Sequence, residues 1–226
     1  MIAARRIPLE TVAWLAALLP LAAAHLAYLI SASLDAVPWC LPHIEGCTSI
    51  SRAARSTAAA SAVYKGLLLP YSVLLALFWW QAGAWLRELA PARKRTQRAL
   101  LPLGLVAAAA TAAYTAALGI DGEVYQWIRR YGINVGFGCT FLAELLLAAA
   151  LARETRVPQA LRRALVGLCA AMLTLGIASI PLQFLTGSHG EALNAIEWNY
   201  GLLMLSFFPL AGAAWRRTTP TAPAPS

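Results

Sequence analysis

The chain has 226 residues, 60% of them apolar and 12% charged, with a formal net charge of +8 and a mean hydropathy of +0.62. A soluble domain carries about 25% charged residues, so this chain lacks the polar surface to cover a water-soluble globule, and its apolar content excludes a disordered chain. Four cysteines are too sparse for a disulfide-rich secreted scaffold, and the long unbroken apolar blocks exclude the short alternating segments of a membrane β-barrel.

What remains is an all-α polytopic membrane protein, a six-transmembrane-helix bundle with short loops. A span needs about 20 mostly apolar residues. The charged residues divide the chain into six such blocks: 11–30, 66–86, 99–120, 131–152, 164–188 and 198–215. The first holds only His25 and the fourth only Glu144 as ionisable groups. Residues 1–217 are read as one domain and 218–226, rich in Pro, Ala and Thr, as a disordered tail. The first block resembles a signal peptide, with Arg5 and Arg6 ahead of it and Ala22-Ala23-Ala24 inside it. Apolar sequence runs on to Ile30, so a retained helix is expected.

Basic residues set the orientation. With the N-terminus inside, the inner segments carry 13 of the 18 Lys and Arg residues, and the outer ones only Arg52, Arg55, Lys65, Arg129 and Arg130. Both termini are expected in the cytoplasm. The net charge is read as this topological signal, so the expected partners are membrane lipids and not nucleic acid. Trp14, Trp85, Trp127, Trp198 and Trp215 fall near span ends, as an interfacial aromatic belt would.

The first outer connection, 31–61, is the longest, and its segment 37–56 reads VPWCLPHIEGCTSISRAARS. Loops of this length are functional or disordered, and the Trp, Ile and Cys content speaks against disorder. Cys40 and Cys47 lie on the oxidising side in this orientation, which suits a disulfide. Free thiols, or a metal held with His43, are the alternatives; the spacing fits no standard zinc pattern. No metal and no cofactor are expected. Cys139 and Cys169 sit inside spans as packing residues.

Ionisable groups inside spans are costly, so each is a candidate for function or for an interhelical hydrogen bond. His25 lies in the outer half of the first span and Glu144 about 13 residues into the fourth. Phe137, Phe141 and Glu144 form one stripe there, while Gly132, Gly136 and Thr140 form a small-residue stripe that admits a close neighbour. Polar groups on five spans reach the outer leaflet: His25, Lys65, Asn134, Gln183 and Glu197. They point to a cavity opening outward, with capping of helix ends as the alternative. Candidate acid/base residues are His25, His43, Glu45, Glu144 and Glu197. Candidate binding residues are Lys65, Asn134, Gln183, Glu197 and Trp198, with Lys65 also a possible ion-pair partner of Glu197. His43 with Ser49 or Ser51 is a conceivable nucleophile pair; no GxSxG, HExxH or P-loop signature is present.

Three segments carry a resemblance. The outer loop has LPHIEGCTSISRAARS, the fourth span opens with RRYGINVGFGCTF, and the sixth opens with LNAIEWNYG. In order and spacing these resemble the DRAM/Frag/Sfk family of six-span membrane proteins, over roughly residues 18–214. His43 stands where the family has tyrosine, and Glu45-Gly46 where it has Ser-Asp. The resemblance implies a protein that handles or remodels lipids, and highlights Pro42, His43, Ile44, Gly132, Glu197 and Trp198. The alanine-rich chain with short loops looks bacterial, placing it in an inner membrane with a lipid other than a GPI anchor. A non-enzymatic small-solute transporter or sensor, or a structural membrane factor, is the alternative; Pro20, Pro70 and Pro181 would kink three of the spans.

Overall fold

The computed structural model describes residues 8–186 and 190–219. Arg5, Arg6 and the tail from residue 220 lie outside this description. Within it there are eight helices and no strand: α1 (Leu9–Ser33), α2 (Pro42–Glu45), α3 (Ile50–Arg55), α4 (Ala58–Leu89), α5 (Lys94–Ala117), α6 (Glu123–Leu151), α7 (Gln159–Thr186) and α8 (Glu191–Thr218). Of the residues read as a tail, Thr218 closes α8, its hydroxyl lying within hydrogen-bond reach of the carbonyls of Ala214 and Trp215.

Five helices, α1 and α4–α7, are long and apolar enough to cross a membrane by length and composition. The remaining long helix, α8, has 28 residues. It falls short only in composition, because its first turns carry Asn194, Glu197 and Asn199. Successive long helices pack as neighbours and α8 returns to α1, closing a ring of six. Apolar side chains face outward from that ring, among them Leu18, Leu29, Val73, Ile177 and Phe184. Such a surface suits hydrocarbon and not water.

Local sequence explains where the helices start and how closely they approach. Thr57 accepts a hydrogen bond from the Ala60 amide at 3.1 Å and caps α4; Ser49 does the same for α3 through Arg52. Proline opens α2, and Gly46 ends it in the left-handed conformation at φ 62°. The stripe of Gly132 and Gly136 faces α5. A Cβ there would stand 3.2 Å from the Ala110 carbonyl and 3.0 Å from the Thr111 hydroxyl, so the missing side chains set the α5–α6 distance.

The end of the bundle away from the roof is packed with aromatic side chains. Phe78 packs edge-on against Trp79 and Phe208, with ring centroids 5.0 and 4.9 Å apart. At this end Arg216 pairs with Glu10 at 3.0 Å, the Trp85 indole donates to Thr218, and Arg156 bridges to the Leu89 carbonyl. Trp85 and Trp198 are buried, so neither belongs to an aromatic belt; Trp14 and Trp127 are exposed. The outer half is different: it is roofed by α2 and α3 and is hollow beneath them.

Candidate functional site

The roof is fastened from two sides. Cys40 and Cys47 form a disulfide that closes the loop around α2. From α1, the Tyr28 hydroxyl accepts from the Cys40 amide at 2.8 Å and donates to the Cys40 carbonyl at 2.9 Å, and Ser31 donates to the Ala53 carbonyl at 2.7 Å. From α8, Asn194 donates to the Gly46 carbonyl, Trp198 to that of Thr48, and Asn199 to that of His43. These bonds satisfy loop carbonyls that an irregular segment would otherwise leave open. The disulfide takes both thiols, so the alternative of a Cys–His metal site is not formed.

Under the roof lies a cavity of about 90 Å³. His25, His43, Tyr64, Tyr114, Glu197 and Trp198 supply its polar wall, and Pro20, Leu68, Phe137 and Leu205 its apolar wall. His25 and His43 meet through their Nε2 atoms at 3.2 Å. His25 Nδ1 lies 2.8 Å from the Leu21 carbonyl, which can only accept, so that nitrogen carries hydrogen. With neutral rings, His43 Nε2–H then donates to His25 Nε2. His43 Nδ1 is left buried with no hydrogen-bond partner among the described residues. Both rings stand edge-on to Trp198, with centroids 5.2 and 5.3 Å away. Burial and the neighbouring His25 lower the pKa of His43, and the Asn199 side chain beside it acts in the opposite sense. Tyr64 and Tyr114 stand together in this wall, and Glu197 lies beside the start of α3 at Ile50.

A second and larger cavity of about 950 Å³ opens beside the first, and Tyr114, Ile133 and Glu197 stand in the walls of both. Its remaining wall holds Arg52 and Arg55 of α3, Gln126, Trp127, Arg129, Arg130 and Asn134 of α6, Gln183 of α7 and Asn194 of α8. The α6–α7 seam is the most thinly packed of the ring. Residues 123–127 of α6 are all exposed, and beyond Met172 no described side chain of α7 is buried. Among the described residues the α6–α7 side of the outer cavity is thus its most sparsely covered side.

The sequence-derived candidates separate on this geometry. His25, His43, Glu197 and Trp198 converge on the inner cavity, and Asn134, Gln183 and Glu197 on the outer one. Lys65 lines neither and makes no ion pair with Glu197 among the described residues. Glu45 is exposed and turns back to accept from the Leu41 amide at 3.0 Å, capping α2. Glu144 is fully buried but lines neither cavity. Ser49 and Ser51 bond each other at 3.3 Å, while His43 bonds His25, so the nucleophile pair is not assembled. Tyr64, Tyr114 and the four arginines were not singled out by the sequence. The signal for the arginines was there, as basic residues on the side that the charge bias depletes. Comparison of the chain with protein-family models, with curated proteins and with solved structures finds no match.

Proposed function

We propose that this is an integral membrane protein that binds lipid in a polar pocket opening to the outer leaflet, beneath the disulfide-closed loop. The observation that carries this reading is the pair of adjoining cavities beside the thinly packed α6–α7 seam. The outer one, at about 950 Å³, falls in the size range of small-molecule sites, roughly 300–1,000 Å³. The inner one, at about 90 Å³, has room for about three water-sized groups. It therefore takes a small part of a ligand and not an acyl chain, so the chains remain in the bilayer at the α6–α7 seam. Remodelling of a bound lipid would draw on the His25–His43 pair, whose ring nitrogens can accept and donate protons.

The same proposal places the chain among DRAM/Frag/Sfk-like proteins, on the motifs of the outer loop and of α6 and α8. It also places it in a bacterial inner membrane with both termini cytoplasmic. Supporting that orientation, Arg87, Arg93, Lys94, Arg95, Arg98, Arg153, Arg156, Arg162 and Arg163 gather at the end of the bundle opposite the cavities.

The test is native mass spectrometry of the protein extracted from its membrane, wild type against Glu197→Gln. Bound lipid that is retained by the wild type and lost from the variant is the expected result. Equal lipid in both leaves Glu197 a structural anchor of α3, and no lipid in either refutes the pocket. Reporter fusions after Arg95 and within 48–56 test the orientation; an external signal at Arg95 reverses it.

A further inference from the structure

Four of the five basic residues at the cavity end of the bundle, Arg52, Arg55, Arg129 and Arg130, line one cavity. A solvated surface scatters its charges, whereas these come from two separate helices and face a common space. Arg52 and Arg55 are one turn apart on α3 and share a face. Arg129 is held in place by donating from Nη1 to the carbonyls of Ala117 and Ile120. Gln126, Arg130 and Asn134 follow at four-residue steps along α6, adding amide groups to the same wall. None of the four guanidinium groups has a carboxylate ion-pair partner among the described residues. The side chains of Arg52, Arg55 and Arg130 make no hydrogen bond there. Among the described residues Glu197 is the one carboxylate in the wall, against four arginines.

We infer that the outer cavity is a phosphate-group site, in which guanidinium forks of α3 and α6 hold the phosphate of an anionic headgroup. Arginine is suited to this because its planar donors match phosphate oxygens two at a time. Four clustered arginines facing one carboxylate leave an excess of positive charge, and a bound dianion or monoanion relieves their mutual repulsion. The assignment deepens the lipid-pocket reading and rests on it for the source of the phosphate: a membrane phospholipid would enter beside the thinly packed α6–α7 seam, and a soluble phosphate is the other source. Trp127, exposed at the rim and stacked on Tyr131 with centroids 4.8 Å apart, sits where a bound headgroup changes its surroundings.

The experiment uses the full chain in detergent and follows tryptophan fluorescence and calorimetry. The probes are a short-chain phosphatidylglycerol, inorganic phosphate and a short-chain diacylglycerol that lacks phosphate. Phosphatidylglycerol is expected to bind, with affinity falling about tenfold or more in Arg52→Gln/Arg55→Gln and, as a separate variant on the other helix, in Arg130→Gln. Their side chains are exposed and unpartnered, so folding should survive, and circular dichroism checks it. Inorganic phosphate binding as tightly as phosphatidylglycerol, with the same sensitivity to the variants, keeps the phosphate site and refutes the lipid reading. Diacylglycerol binding as tightly as phosphatidylglycerol, with all variants like wild type, refutes the phosphate site and keeps the lipid pocket. Failure of every probe to bind overturns both.

Discussion

His25 and His43 stand nitrogen to nitrogen, Nε2 to Nε2 at 3.2 Å, with their rings stacked at a centroid distance of 5.4 Å. They come from different elements: His25 from the membrane helix α1 and His43 from the four-residue α2 in the roof. The contact is therefore a latch between the loop and the bundle. Only one proton fits between the two nitrogens, so a doubly protonated pair would replace a hydrogen bond by repulsion. The other groups around His43 are Asn199 and Trp198 of α8, with Glu197 in the same cavity and Glu45 turned back on α2. No carboxylate pairs with either histidine among the described residues.

This latch makes the roof sensitive to acid. The His43 pKa in the folded protein is below its ordinary 6.5, mainly through burial. Between the lowered value and 6.5 the unfolded chain binds more protons, so stability rises with pH across that window. The contribution is complete above about pH 6.5 and is lost as pH falls through the lowered folded value. The thermal unfolding midpoint of the wild type should therefore drop more steeply on acidification than that of His43→Gln. Parallel curves for the two proteins would show that His43 does not titrate in this range.

The disulfide should be worth a moderate amount of stability. It joins residues separated by 7 positions, and closing so short a loop restricts the unfolded chain by about 2 kcal/mol. Cys40→Ser/Cys47→Ser should lower the unfolding midpoint by about 4–8 °C at neutral pH, and reductant should do the same to the wild type and nothing to the variant. A variant as stable as wild type would mean that the bonds from Tyr28, Asn194, Trp198 and Asn199 hold the loop unaided.

How much of this was legible beforehand differs by level. The spans were readable because lipid demands long apolar runs, yet every long helix starts before its apolar block. α4, for instance, starts at Ala58 and ends at Leu89, since hydropathy marks the hydrocarbon core and capping residues such as Thr57 mark the helix. The pairing of Cys40 with Cys47 was one of three open readings, because spacing alone does not exclude thiols or a metal. Glu197 and Trp198 were legible as polar and aromatic groups at a span end. The work of Trp198 as an anchor of the roof was not, because it depends on which loop carbonyl meets α8. Glu45 failed as a pocket residue for a local reason: four residues after Leu41, it caps its own short helix. The arginine cavity was hidden because its walls come from α3 and α6, which the sequence separates by about 75 residues.

Gly46 is the position where the roof tolerates least change. Its φ of 62° disfavours any side chain, and a Cβ there would overlap the Glu191 carbonyl and lie 2.9 Å from the Ala195 amide. α2 rests on α8 through this bare backbone, and Asn194 completes the contact by bonding the Gly46 carbonyl at 2.8 Å. Gly46→Ala should lift α2 from α8 and destabilise by more than the roughly 1 kcal/mol of the conformational term alone. Protease nicking within 37–56 reads this directly: the variant should be cut faster than wild type. Equal cutting rates would mean that α8 shifts to accept the methyl group.

Glu144 presents the opposite case, a polar group whose removal should help. It is fully buried on α6, and neither carboxyl oxygen has a hydrogen-bond partner among the described residues. Tyr71, Cys169 and Tyr200 are near enough to feel its charge electrostatically, but no arginine or lysine answers it. An unsatisfied buried polar group costs about 1–3 kcal/mol, and methionine fills a similar volume with no such demand. Glu144→Met should therefore raise the unfolding midpoint, whereas Glu144→Gln, which keeps the polar demand, should leave it near the wild-type value. Lipid retained on extraction should be unchanged in both, because Glu144 stands outside the two cavities. A Met variant that is more stable but has lost its lipid would give the carboxyl a functional role at the floor of the pocket. A Met variant that is less stable would show that the carboxyl has a partner in the membrane-embedded protein, such as a buried water.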